Sequence, residues 1–115
     1  MLRPAFAAGL LSFAAGPALA LDGAQLFAAQ CRACHQAAST AMAPTLAGVA
    51  GARIAGRGDF AYSPALKARR GAWTDQNLEA FLKAPTAFAP GSRMAVSVPS
   101  ADARAAIVAY LHTVR

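Results

Sequence analysis

The chain has 115 residues, 11 Lys and Arg against 5 Asp and Glu, a formal net charge of +6, and 57% hydrophobic residues. Its length allows one domain and no more, and its basic balance suits an acidic partner, an anionic surface or nucleic acid. Only Lys67, Arg69 and Arg70 form a tight cationic group, and no aromatic residues interleave with it. This argues against a nucleic-acid stacking platform.

In chain order, residues 1–20, MLRPAFAAGLLSFAAGPALA, read as a secretory signal: one early charge at Arg3, an apolar run, and Ala18-Leu19-Ala20 as the cleavage site. Gly9, Ser12, Gly16 and Pro17 interrupt the apolar run, which makes it a poor membrane span. Export places the mature domain, residues 21–115, in the periplasm, without stable membrane insertion after cleavage and away from nucleic acid. A domain of this size buries only part of its surface, and small exported domains often supplement their core with a disulfide, a metal or a cofactor. Much of the apolar content is alanine, which contributes little area, so a large apolar group is expected to complete the core.

Asp22 with Gln25 resembles a capping box, and Ala24, Phe27, Ala28 and Cys31 recur on one helical face, predicting a first helix from about Gly23. It runs into CRACH, residues 31–35, which holds the chain's two cysteines. Two thiols three apart with an imidazole next to the second fit a disulfide switch, half of a zinc site or covalent haem attachment. Haem explains the whole motif: each thiol adds to one porphyrin vinyl group, and His35 lies beneath the iron as its ligand. Zinc lacks a set of four donors, since the only other histidine, His112, is distant and has no second ligand at zinc spacing. A redox disulfide has no need of His35 and lacks its usual βαβ setting, although a structural disulfide remains a plain alternative.

Residues 36–72 are punctuated by Pro44, Gly48, Gly51, Gly56, Gly58, Pro64 and Gly71 without a period-2 run, which predicts loops with short helical turns. Thr74 caps a second predicted helix whose Leu78, Phe81 and Leu82 form an apolar stripe before Lys83 and Pro85 end it. The segment APTAFAPGSRMAVSVP then reads as a loop, and Ser100 caps a last helix with Ile107, Tyr110, Leu111 and Val114 on one face. His112 falls on the exposed side of that face. If haem binds, a thioether is one choice of second axial ligand. Met1 leaves with the signal, and Met42 follows His35 too closely to reach the opposite face of the ring. Met94 sits where Pro90 and Gly91 let the chain curl toward a ligand.

In order, CRACH, APTLAGVAG, FAYSPALK, GAWTDQNLEAFLKAP, PGSRM and RAAIVAYL closely resemble the class I cytochromes c, above all the small bacterial electron carriers, from Gly23 to Val114. The resemblance implies an all-α cytochrome c fold, three main helices and loops wrapped around one covalently bound haem c. It implies thioethers at Cys31 and Cys34 and axial ligation by His35 and Met94. The Pro44 carbonyl should accept a hydrogen bond from His35. Arg53, Tyr62 and Trp73 should bind or shield the haem propionates, and Gly23 and Phe27 should cross Ile107 and Tyr110 of the last helix.

The sequence departs from that pattern at Ala43, where a glycine often precedes the proline, which weakens the expectation for Pro44. Leu66, Phe81 and Ser92 replace residues that are often asparagine, tyrosine and threonine, so the pocket beside Met94 should be drier. The function this implies is non-enzymatic: a monomeric periplasmic carrier of one electron. Its acidic-surfaced partners would be a quinol-oxidising complex and an oxidase, reductase or reaction centre. Arg32, Lys83 and Arg93, with Lys67, Arg69 and Arg70, would border the docking face. The alternative is a dedicated cytochrome subunit of a periplasmic dehydrogenase; a ligand-binding sensor or peroxidase would need Met94 to be absent or labile.

Overall fold

Asp22 opens the first helix, α1 (Gly23–Gln30), by accepting hydrogen bonds at Oδ1 from the Ala24 and Gln25 backbone amides. The Gln25 side chain makes no return bond, so the capping box is half closed. In this computed structural model, which describes residues 2–5, 7–9 and 21–115, four further helices follow: α2 (Pro64–Ala68), α3 (Asp75–Lys83), α4 (Pro85–Phe88) and α5 (Ala101–Leu111). Most of the expected signal segment, including the Ala18-Leu19-Ala20 cleavage site, lies outside the described residues.

The three main helices are α1, α3 and α5, with the caps expected of them: Thr74 Oγ1 accepts from Asn77 and Ser100 Oγ from Ala103. The inward face of α1 differs from the sequence reading, because Phe27 is buried and Gly23 and Leu26 partly so, whereas Ala24 and Ala28 are exposed. The larger side chains have more apolar area to remove from water, and they set the rotation of the helix. A second difference lies in the segment expected to be a loop after α3. Pro85 stops α3 and starts α4 at once, because a proline at the first helical position needs no amide partner. Pro85, Phe88 and Ala89 are all buried.

At the crossing of α1 and α5, a Cβ on Gly23 would lie 2.1 Å from the Ala106 carbonyl oxygen. Only glycine permits that approach. Phe27 then packs on Tyr110 with ring centroids 5.1 Å apart, while Ile107, Val108 and Leu111 of α5 enter the same core as Leu78 and Leu82 of α3. Among the described residues the nearest thing to a sheet is one antiparallel bridge, Arg53 with Ala72. Around it, Gly51, Trp73 and Ile54 donate backbone hydrogen bonds to Trp73, Ala52 and Gly71 at 2.7–3.0 Å. That clasp fixes Arg53 and Trp73 relative to each other.

Buried Arg104 of α5 was not foreseen from the sequence. Its guanidinium reaches the Glu79 carboxylate, the Val98 carbonyl at 2.8 Å and the Pro99 carbonyl at 2.9 Å. These bonds satisfy the charge that burial would otherwise penalise, and they join α3, α5 and the strand-like stretch before Ser100.

Candidate functional site

CRACH forms the turn that leaves α1. Cys31 caps the helix through its amide to the Phe27 carbonyl, and the amides of Cys34 and His35 then fold back onto the Cys31 carbonyl at 3.2 and 2.9 Å. The tight turn brings Cys31, Cys34 and His35 to the wall of one cavity of about 310 Å³. The cysteines are free thiols, not a disulfide, and burial pushes the Cys31 thiol above its usual range. Among the described residues no three His, Cys, Asp or Glu side chains are grouped to hold a metal ion.

His35 is oriented by the loop that follows it. Ser39 Oγ accepts from the Thr45 amide at 2.9 Å, Thr40 Oγ1 accepts from Met42 and Ala43, and the Thr40 amide donates to the Ala43 carbonyl. This folded loop presents the Pro44 carbonyl to His35 Nδ1 at 2.8 Å. The contact thus forms with Ala43 rather than glycine before the proline; Ala43 is itself buried. A carbonyl can only accept, so Nδ1 is the donor in this contact and Nε2 is the nitrogen left to face the cavity.

The same cavity is lined by Met94, Pro44, Arg53, Tyr62 and Trp73, which the fold therefore brings together. Leu66, Phe81 and Ser92 line it too. Trp73 stacks on Phe88 (5.5 Å between centroids, 22° between planes), and Phe81 meets both rings edge-on. Burial raises the Tyr62 phenol above its usual range. Met42 also reaches the lining but is largely exposed. His112 is not part of it: its Nε2 lies 2.6 Å from Asp75 Oδ1 on the outer faces of α3 and α5.

Of the cations expected at a docking face, Arg93 lines the cavity, whereas Arg32 and Lys83 are exposed beyond its lining. Arg69 lies over the Phe88 ring, 3.7 Å from its centroid. The sequence reading missed Arg57, Phe60 and Phe88. Arg57 lines the cavity and forms a two-point ion pair with Asp59 at 2.8 and 3.0 Å, which holds the Asp59 carboxyl below its usual range. The Pro85, Phe88, Ala89 spacing was the available signal for Phe88. Nothing comparable marked Arg57.

The residues present fit a haem. The cavity is within the range of small-molecule sites, its walls are mainly apolar, two unpaired cysteines and an imidazole whose Nε2 makes no hydrogen bond among the described residues share it, and arginine and tyrosine line it as well. Fold and site thus define a protein of the covalently haem-binding class. The family model for cytochrome c matches residues 20–115.

The chain is 43% identical over 95 residues to a cytochrome c of Tetrahymena pyriformis, covering 80% of this chain and 85% of that protein. It is 34% identical over 106 residues to cytochrome c2 of Rhodomicrobium vannielii, covering 89% and 82%. Against cytochrome c-type cyt cy of Rhodobacter capsulatus it is 40% identical over 93 residues, 79% of this chain but 47% of that longer protein. The solved structure of cytochrome cH from Methylobacterium extorquens superposes with a TM-score of 0.71 at 35% identity, covering 79% of this chain and 94% of that one. The chain belongs to the cytochrome c family, whose members are electron carriers, not enzymes, and bind haem c covalently.

Proposed function

We propose that the protein is an exported carrier of single electrons, working in the periplasm with His35 and Met94 as the two axial ligands of its haem iron. The observation that carries this reading is the 2.8 Å hydrogen bond from His35 Nδ1 to the Pro44 carbonyl, on a histidine that shares its cavity with Met94. Such a bond fixes the ring and raises the basicity of the remaining nitrogen. Cys31 and Cys34 would hold the group as thioethers, and Arg53, Tyr62 and Trp73 would bind or shield its propionates. When bound, haem c supplies the one-electron iron couple.

The chain's own residues set how that couple behaves. With His35 and Met94 both holding the iron, no coordination position would be left for a substrate, and the soft Met94 sulfur would favour the reduced state. Apolar Leu66 and Phe81 keep that side of the cavity dry. The secretory reading of residues 1–20 supports a periplasmic location, with residues 21–115 as the mature domain. Arg32, Lys83 and Arg93 offer positive charge to acidic-surfaced redox partners, whose brief contacts depend on charge for fast encounter.

The test is stopped-flow reduction and oxidation of the holoprotein by an acidic redox partner as ionic strength is varied. The rate should fall steeply as salt rises, and it should fall at low salt in Arg32→Ala and Lys83→Ala. A rate indifferent to salt contradicts the docking part of the proposal. Turnover of peroxide at enzymatic rates contradicts the carrier itself.

A further inference from the structure

The span that bears Met94 is tied down sparsely. The Ser92 amide donates to the Ala89 carbonyl at 2.9 Å, and the Val98 amide donates to the Leu82 carbonyl at 2.8 Å. Among the described residues no backbone hydrogen bond holds positions 93 to 97 between those two points. One side chain bridges from this span to another part of the chain. The Arg93 guanidinium donates through an Nη atom to the Ala61 carbonyl, 32 positions away in sequence, and lies over the Phe60 ring, 5.2 Å from its centroid. Phe60 is itself braced edge-on by Tyr62, with centroids 5.0 Å apart. Phe60, Tyr62, Arg93 and Met94 all line the cavity.

We propose that Arg93 is a positioning residue, a latch that holds the Met94 span against the Phe60–Ala61 segment and so sets how often the iron becomes accessible to small outside ligands. The idea rests on the reading of Met94 as an axial ligand. A guanidinium suits the task because its planar face covers an aromatic ring while its edge donates to a carbonyl. With the latch removed, the open form of the span gains population, and the apparent affinity of a ligand that binds only that form rises in proportion.

The experiment compares ferric holoprotein with Arg93→Ala, Arg93→Lys and Phe60→Leu by titration with imidazole, following the Soret band. Arg93 is exposed, so its cation–aromatic contact and its hydrogen bond are both screened by solvent and together contribute only about 1 kcal/mol; their loss should tighten apparent imidazole binding by roughly three- to tenfold in Arg93→Ala. Arg93→Lys should restore part of the difference, and Phe60→Leu should reproduce part of it while leaving the charge in place. Each protein's far-red sulfur-to-iron band is recorded before imidazole is added. If the band is present in the parent protein and imidazole affinity is the same in all four proteins, the latch is wrong and Met94 ligation stands. If the parent lacks the band, Met94 ligation fails first, and the latch falls with it. Slower reaction of Arg93→Ala with an acidic partner, with imidazole binding unchanged, assigns Arg93 to docking and overturns the proposal.

Discussion

Gly23→Ala should loosen the α1–α5 crossing. The new methyl carbon would lie 2.1 Å from the Ala106 carbonyl oxygen, 2.8 Å from its carbon and 3.0 Å from Tyr110 Cβ. Two of those atoms are backbone and cannot swing aside, so the helices must separate by roughly 1 Å to reach ordinary contact distance. That shift also lifts Phe27 from Tyr110 and from the core beneath α5. Overpacking of this kind costs about 1–3 kcal/mol. Alanine's better helix propensity offsets at most about 1 kcal/mol, and less at the first helical position. A net loss of about 1–2 kcal/mol should therefore appear in guanidinium unfolding of the holoprotein, as a lower midpoint at unchanged slope. In a domain of this size it lowers Tm by roughly 4–8 °C per kcal/mol. A variant as stable as the parent would refute the close crossing.

Arg104→Ala strands the Val98 and Pro99 carbonyls and leaves Glu79 alone, so chemical denaturation should show a loss of about 2–3 kcal/mol; an unchanged midpoint would show that burial and pairing of this arginine cancel. Phe88→Ala opens a gap beside Trp73 and Phe81 and should cost about 3–5 kcal/mol by the same assay. The Asp59 carboxyl is depressed first by its hydrogen bond from Arg57. Its contribution is therefore present above the ordinary carboxylate range and lost as pH falls through its folded value; an NMR titration should place it low in the parent and back in the ordinary range in Arg57→Ala. The dry pocket inferred from Leu66, Phe81 and Ser92 predicts no ordered water between Ser92 and the Met94 sulfur in a high-resolution crystal structure; such a water would contradict it.

The parts of this protein legible in its sequence are those governed by local chemistry. Asp22, Thr74 and Ser100 mark helix starts because a side-chain oxygen satisfies free amides a few residues on, and CRACH is legible because two thiols and an imidazole fall within five positions. Alanine misled the reading of α1: it satisfies a hydrophobic pattern without having area enough to decide which face turns inward. In the segment after α3, the density of Pro and Gly hid a four-residue helix. Features that join distant positions had no local signature. The Arg104 network and the Arg93 bridge depend on backbone carbonyls brought near by the fold. Pro44 is an intermediate case, since the Ser39 and Thr40 hydroxyls organise the loop without glycine at position 43.

The central claim is the His35 and Met94 ligand pair, and the far-red absorption of the ferric protein, matured with haem attached, tests it most directly. The parent should show the weak sulfur-to-iron charge-transfer band, and Met94→Ala should abolish it while haem stays covalently bound through Cys31 and Cys34. Haem attached without that band in the parent, or a band that survives Met94→Ala, would contradict the account and open the site to another ligand.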